Sequence, residues 1–223
     1  LMVKGRSSRG NVLSKNAIHK IVLKRRGGST LGGCKVWWEP ETLRLNPDGR
    51  GMLLGEFTGD DQILVINKKG EALTTGYDFE QHFDDNILRI EKYDNRKIWT
   101  AVYYDGEQKL YYIKRFKIEP STKQQGFIGD HPKSKLVLLS DEDHPRVEVV
   151  FGGGDKWRPK ETIDVFEFIG EKGIKAKGKR ISQYEINKFV ELEPLIPTVR
   201  EEIKPTPENN EENADDTVEP TLF

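Results

Sequence analysis

An all-β array of hairpins is the fold class this 223-residue sequence predicts, and three observations predict it. Short runs of β-branched and aromatic residues recur along the chain, bounded by glycine, proline, asparagine and aspartate, which is the signature of strands and tight turns. Turn signals near residues 69, 105, 142 and 171 are spaced by 36, 37 and 29 residues, a blade-like interval for a propeller-type array. Lastly, a basic, glycine-punctuated segment occurs twice. Lys4-Gly5-Arg6-Ser7-Ser8-Arg9-Gly10-Asn11-Val12-Leu13-Ser14 is echoed without a gap, 168 residues later, by Lys172-Gly173-Ile174-Lys175-Ala176-Lys177-Gly178-Lys179-Arg180-Ile181-Ser182.

The elements follow in order. Residues 42–45 and 52–54 read as strands flanking Pro47-Asp48-Gly49. Residues 62–66 and 71–75 form a hairpin around Asn67-Lys68-Lys69-Gly70. Residues 98–104 and 110–116 form another around Asp105-Gly106, the strongest short-range hairpin signal. Residues 135–139 and 147–151 flank a turn at 141–145, and 164–169 read as a strand leading through Gly170-Glu171-Lys172-Gly173 into the second basic copy. The stretch 184–192 has weak helical periodicity, but it aligns with the strand-like 17–22 and is therefore expected to be a strand.

Composition bounds the rest. Hydrophobic residues are only 35% of the chain, so the core is expected to be thin and divided among repeated units. Cys34 is the single cysteine, which excludes an intramolecular disulfide and a cysteine-based metal site and fits a reducing, cytosolic compartment. No 18-residue apolar run is present, so no helical membrane span is expected. The opening at Leu1, inside a basic motif, reads as a cut in a longer protein. The net charge of −1 conceals an asymmetry: residues 201–223 hold eight acidic residues and one basic, which leaves the remainder at +6. The expected organisation is a β domain over 1–195 and a disordered acidic tail over 196–223, because the tail has too few apolar residues to offset its ordering entropy.

Catalytic constellations are poorly supported. His19, His82, His131 and His144 lie in polar or turn contexts, and no nucleophile-elbow sequence accompanies them. Asp60-Asp61 and Asp84-Asp85 lack calcium-loop spacing and read as strand-edge turns. Gly152-Gly153-Gly154 is not followed by Gly-Lys-Ser/Thr, so it reads as a loop and not as a phosphate-binding Walker sequence.

The basic clusters carry the functional signal. Lys4, Arg6, Arg9 and Lys15 sit in the first, followed by Lys20, Lys24, Arg25 and Arg26. Lys114 and Arg115 close one hairpin, and Lys172, Lys175, Lys177, Lys179 and Arg180 form the last cluster. On a strand, Lys175, Lys177 and Lys179 would share one face. Glycines at 5, 10, 173 and 178 would let their N–H groups approach phosphate oxygens. Spaced cations on one surface gain affinity for duplex DNA by releasing its counterions. A lysine-rich soluble edge that blocks strand pairing is the plainer alternative.

Taken together, several segments resemble the C-terminal domain of the A subunit of bacterial type IIA topoisomerases, with topoisomerase IV nearer than gyrase. They are Lys4 to Asn11, Arg44-Leu45-Asn46 with Asp48-Gly49-Arg50-Gly51, Leu54-Gly55-Glu56-Phe57, and Tyr112-Ile113-Lys114-Arg115-Phe116. The resemblance implies a β-pinwheel, a propeller-like array of about four blades here, whose ring is left incomplete if upstream blades precede Leu1. It implies a basic rim that binds and bends double-stranded DNA, positioning it for strand passage. It also implies a parent enzyme that is cytoplasmic and nucleoid-associated and assembles as a heterotetramer with an ATPase B subunit. Its ATP, magnesium and catalytic tyrosine belong elsewhere, so no cofactor and no catalysis are expected in this fragment. Lys24-Arg25-Arg26-Gly27-Gly28-Ser29-Thr30 departs from the gyrase box Gln-Arg-Arg-Gly-Gly-Lys-Gly at both ends, which favours decatenation and relaxation over chiral wrapping. The rivals are a propeller-type protein-interaction module, using aromatic pairs such as Trp37-Trp38 or Tyr103-Tyr104, and a hydrolase on a β scaffold.

Overall fold

The computed structural model describes residues 15–19 and 33–196. The chain divides into two units, Leu1–Gly32 and Gly33–Phe223, and residues 15–19 of the first are solvent-exposed. The architecture below is that of the second.

The strands run in chain order as β1 (Cys34–Glu39), β2 (Arg44–Asn46) and β3 (Met52–Phe57), then β4 (Ile63–Asn67), β5 (Glu71–Thr75) and β6 (Ile87–Lys92). There follow β7 (Trp99–Asp105), β8 (Leu110–Phe116), β9 (Gln125–Gly126), β10 (Lys135–Ser140), β11 (Arg146–Phe151) and β12 (Glu161–Asp164). The chain continues through the short helix α1 (Val165–Phe168) into β13 (Glu171–Lys172), β14 (Lys179–Arg180) and β15 (Ile186–Leu192). They form four open sheets: β2-β1-β3, β6-β4-β5-β9, β10-β7-β8 with β13 and β14 on the free edge of β8, and β12-β11-β15. All pairings are antiparallel except β13 on β8.

Strand alternation explains how the core is divided. In β4 every residue is buried, because the two sets of side chains face different neighbours. Ile63 and Val65 pack with Val36, Trp38, Leu54 and Phe57 of the first sheet. Leu64 and Ile66 pack with Trp99, Ala101 and Phe116 of the third. The third sheet repeats the arrangement, its opposite face joining Val102 and Ile113 to Val147 of the fourth and to Val165, which follows β12. The sheets are thus layered in chain order, and the second and third are covered on both faces. The divided core expected from composition is present.

Two sheets are completed by chain that has already moved on. β9 follows β8 yet pairs with β5, and β13 and β14 follow β12 yet pair with β8. A repeated turn chemistry closes the inner hairpins. Asn67 Oδ1 accepts from the backbone N–H groups of Lys69 and Glu71, both at 3.0 Å, with Gly70 at φ +77°. Asp105 Oδ1 accepts from Glu107 and Gln108 at 2.9 and 3.1 Å. Asn46 does the same for Asp48 and Arg50 after β2, each at 3.1 Å. All three side chains are buried, so the turn donors are satisfied without water.

The expected hairpins over 62–75 and 98–116 are present as β4–β5 and β7–β8. The stretch 184–192 contains a strand, as its alignment implied. The strand expected over 164–169 is corrected, and three other readings gain detail. β2 and β3 both pair with β1 and not with each other. β10 and β11 are not a hairpin: the segment between them carries the chain from the third sheet to the fourth. Residues 165–168 are helical because Asp164 caps them, accepting from the N–H groups of Phe166 and Glu167 at 3.0 and 3.4 Å. The loop at Gly152-Gly153-Gly154 tightens into a 3₁₀ turn, Gly153–Asp155, with Gly153 at φ +52°.

Between the second sheet and the end of β10 lies a charge network. Asp141, 8% exposed, accepts from Arg89 and Lys97, each at 2.9 Å, while Glu91 binds the same two cations at 3.2 and 2.7 Å. Both cations also face the Trp99 ring, at 5.9 and 5.2 Å. Alternating charges around one ring offset the cost of drawing them from water.

Candidate nucleic-acid interface

The predicted basic residues separate into three groups. Lys4, Arg6, Arg9, Lys20, Lys24, Arg25 and Arg26 lie outside the described residues, and Lys15 is exposed in the first unit. Lys114 and Arg115 are interior, and the cluster at 172–180 is on the surface.

Lys114 and Arg115 correct the expectation that they line a DNA-facing hairpin. They lie on β8, in a sheet covered on both faces, and their exposures are 1% and 5%. Arg115 turns toward the fourth sheet, donates to the Asp143 carbonyl at 3.0 Å and stacks its guanidinium 4.9 Å from the Phe166 ring. Lys114 turns the other way, its ammonium 4.9 Å from the Phe116 ring centre. Its Nζ donates to the carbonyls of Ile174 and Ala176 at 2.7 and 3.1 Å. Burial pushes its pKa down to about 8.

The partners of Lys114 belong to the second basic copy. Residues 173–178 are not a strand; they form a turn and loop between β13 and β14, so Lys175, Lys177 and Lys179 do not share a strand face as alternation had suggested. The loop is fixed at several points. Ile174 packs into the cluster between the second and third sheets, and Ile181 into the cluster between the third and fourth. The Tyr103 hydroxyl donates to the Lys177 carbonyl, and burial, reinforced by Asp105, holds that phenol well above its usual pKa range. Gly178 has φ +86°, and a Cβ there would lie 2.5 Å from the Ile113 carbonyl oxygen, so glycine is required for the close approach.

The side chains of this segment differ in availability. Lys177 pairs with the buried carboxylate of Asp105 at 2.6 Å, a hydrogen bond that raises the lysine pKa. Lys179 donates to the Phe168 carbonyl at 3.1 Å and stands 3.8 Å over the Phe168 ring. Lys172, Lys175 and Arg180 are exposed, and no ion pair among the described residues engages them. The segment therefore presents three uncommitted cations, Lys175 on a loop whose backbone is held from beneath and Lys172 and Arg180 on the short strands that flank it.

A sequence model of topoisomerase C-terminal domains from the Bacteroidota matches residues 44–193, from β2 to the end of the fourth sheet. The chain belongs to this family. No curated protein matches it. The resemblance drawn from short motifs thus holds at the level of a topoisomerase C-terminal domain, and both the pinned loop and Lys114 lie within the matched span.

In this topoisomerase C-terminal domain His19, His82 and His131 are exposed and His144 is half-buried. His144 stacks on Phe166 at 4.4 Å, and His131 Nδ1 accepts from the Lys133 N–H at 3.1 Å. Among the described residues no group of three or more His, Cys, Asp or Glu side chains is placed to hold a metal ion, and no helix is long and apolar enough to cross a membrane. The aromatic pairs of the rival reading are core residues: Trp38 and Tyr103 are buried and Trp37 and Tyr104 half-buried. An exposed aromatic that the sequence did not single out is Trp157, 72% exposed beside Arg158. Arg158 is held by Asp155 at 3.1 Å and by the Tyr184 ring at 3.2 Å.

Proposed function

We propose that this chain is the DNA-binding and DNA-bending domain of a topoisomerase IV A subunit, built as a β-pinwheel whose layered sheets are its blades. It positions duplex DNA for ATP-dependent strand passage, in decatenation and relaxation, by a cytoplasmic heterotetramer with the ATPase B subunit. ATP and magnesium act in other parts of that enzyme. The observation that carries this reading is the exposed cationic loop on the free edge of the third sheet, in a chain that belongs to a topoisomerase C-terminal domain family.

The mechanism is electrostatic. Lys172, Lys175 and Arg180 meet successive phosphates, while Lys15 and the basic segment around it supply cations from the first unit. Phosphate contacts carry no sequence information, so binding is sequence-tolerant. Bending ~20–30 bp by 40–90° costs on the order of 1–6 kcal/mol, which several phosphate contacts must offset.

The test is duplex binding by fluorescence anisotropy across a salt series. The wild-type chain is expected to bind unrelated duplexes equally, with a log–log salt slope of about −0.9 per neutralised phosphate. Reversing charge jointly at Lys172, Lys175 and Arg180 is expected to flatten that slope by roughly 2–3. Absence of duplex binding at low salt would refute the reading.

A further inference from the structure

The inward hydrogen bonds of the 173–178 loop have a stereochemical consequence. The carbonyls of Ile174, Ala176 and Lys177 all point into the protein, accepting from Lys114 and Tyr103. None of the peptide bonds of this loop is cis. In a trans peptide the C=O and the following N–H point in opposite directions. The N–H groups of Lys175, Lys177 and Gly178 are therefore turned away from the protein. Among the described residues none of the three donates a hydrogen bond, whereas the intervening Ala176 N–H is used within the turn, to Gly173 at 2.9 Å.

The geometry points to an anion site on this loop: the N–H groups of Lys175, Lys177 and Gly178, flanked by the Lys175 ammonium, form a concave donor set for one phosphodiester group. Outward N–H groups held close together on one loop, as those of Lys177 and Gly178 are, bind anions through fixed partial charges that need no reorganisation. Lys114 is the positioning residue. It never touches the ligand; by drawing two carbonyls inward it turns two of the three donors outward. The assignment of the ligand to a nucleic-acid backbone rests on the DNA-binding reading, whereas the donor set itself stands on the loop geometry.

The test uses amide spectra of the ¹⁵N-labelled full chain. It is titrated first with inorganic phosphate against chloride at matched ionic strength, then with a 20-bp duplex. Saturable downfield shifts at Lys175, Lys177 and Gly178 with phosphate are expected, and the same three with duplex. If phosphate leaves those amides unmoved, the site is overturned. If phosphate moves them and the duplex does not, the anion site stands and the DNA-binding reading falls. If the duplex binds and moves other amides but not these, the nucleic-acid assignment is overturned while DNA binding remains. In Lys114→Met, with amides of β4 and β5 reporting that the fold is kept, phosphate affinity is expected to fall about tenfold, the factor of roughly one charge-assisted hydrogen bond. An undiminished response there would refute the positioning role.

Discussion

Raising the pH should stabilise this domain over a defined window, and the cause is Lys114. Its amine lies within a sheet covered on both faces and its pKa falls from 10.5 to about 8. Between those two values the unfolded chain holds a proton that the folded chain has released, so stability rises with pH. Integrated from pH 8 to pH 10, the difference is about 2 kcal/mol from a shift of this size, and about 1 kcal/mol after allowance for solvent screening at the loop edge. The window closes above pH 10: the raised pKa of Tyr103, and that of Lys177, act in the opposite sense there, since both groups lose folded-state stabilisation as the unfolded forms deprotonate first. The assay is urea unfolding at half-unit steps from pH 7.5 to 10, with Lys114→Met as the control. Wild type should gain stability through the window and the methionine variant should stay flat by comparison. Parallel pH profiles for the two proteins would refute the assignment of a buried, charged amine.

Three further outcomes are expected. Asp141→Ala leaves Arg89 and Lys97 sharing Glu91 alone, and should cost about 2 kcal/mol, the low side for a buried pair because Arg89 is part-exposed; the urea midpoint reads it. Gly51→Ala places a Cβ 2.1 Å from the Trp38 carbonyl oxygen at φ +85°, so a loss of about 2 kcal/mol or more in thermal unfolding is expected. Trp157→Ala should change stability by less than about 0.5 kcal/mol, because the ring is 72% exposed, and calorimetry checks it.

The hairpins were legible because alternation and turn chemistry agree locally. In β4–β5 an apolar run meets Asn67 and Gly70, and both the strand period and the turn donors select the same register. What could not be read was pairing at a distance. The segment 141–145 has the composition of a turn, yet its flanking strands find partners in different sheets, β10 on β7 and β11 on β15. The helix at 165–168 was hidden because Val-Phe-Glu-Phe-Ile suits a strand, and only Asp164 argued for a cap. At the candidate interface the exposed cluster 172–180 was visible as charge, but the burial of Lys114 was not. One signal was available: Tyr112, Ile113 and Phe116 surround it, and a nearly continuous apolar run marks a strand with both faces covered.

The late return of β13 and β14 to β8 governs when the third sheet is finished. On the ribosome, β7, β8 and β10 emerge well before residue 179, so the β8 edge waits, unpaired, while the fourth sheet is still being made. The basic loop is assembled by that same late pairing. The exposed basic surface is therefore created late, and a nascent chain stopped at residue 170 would carry an open edge on β8 and no basic loop.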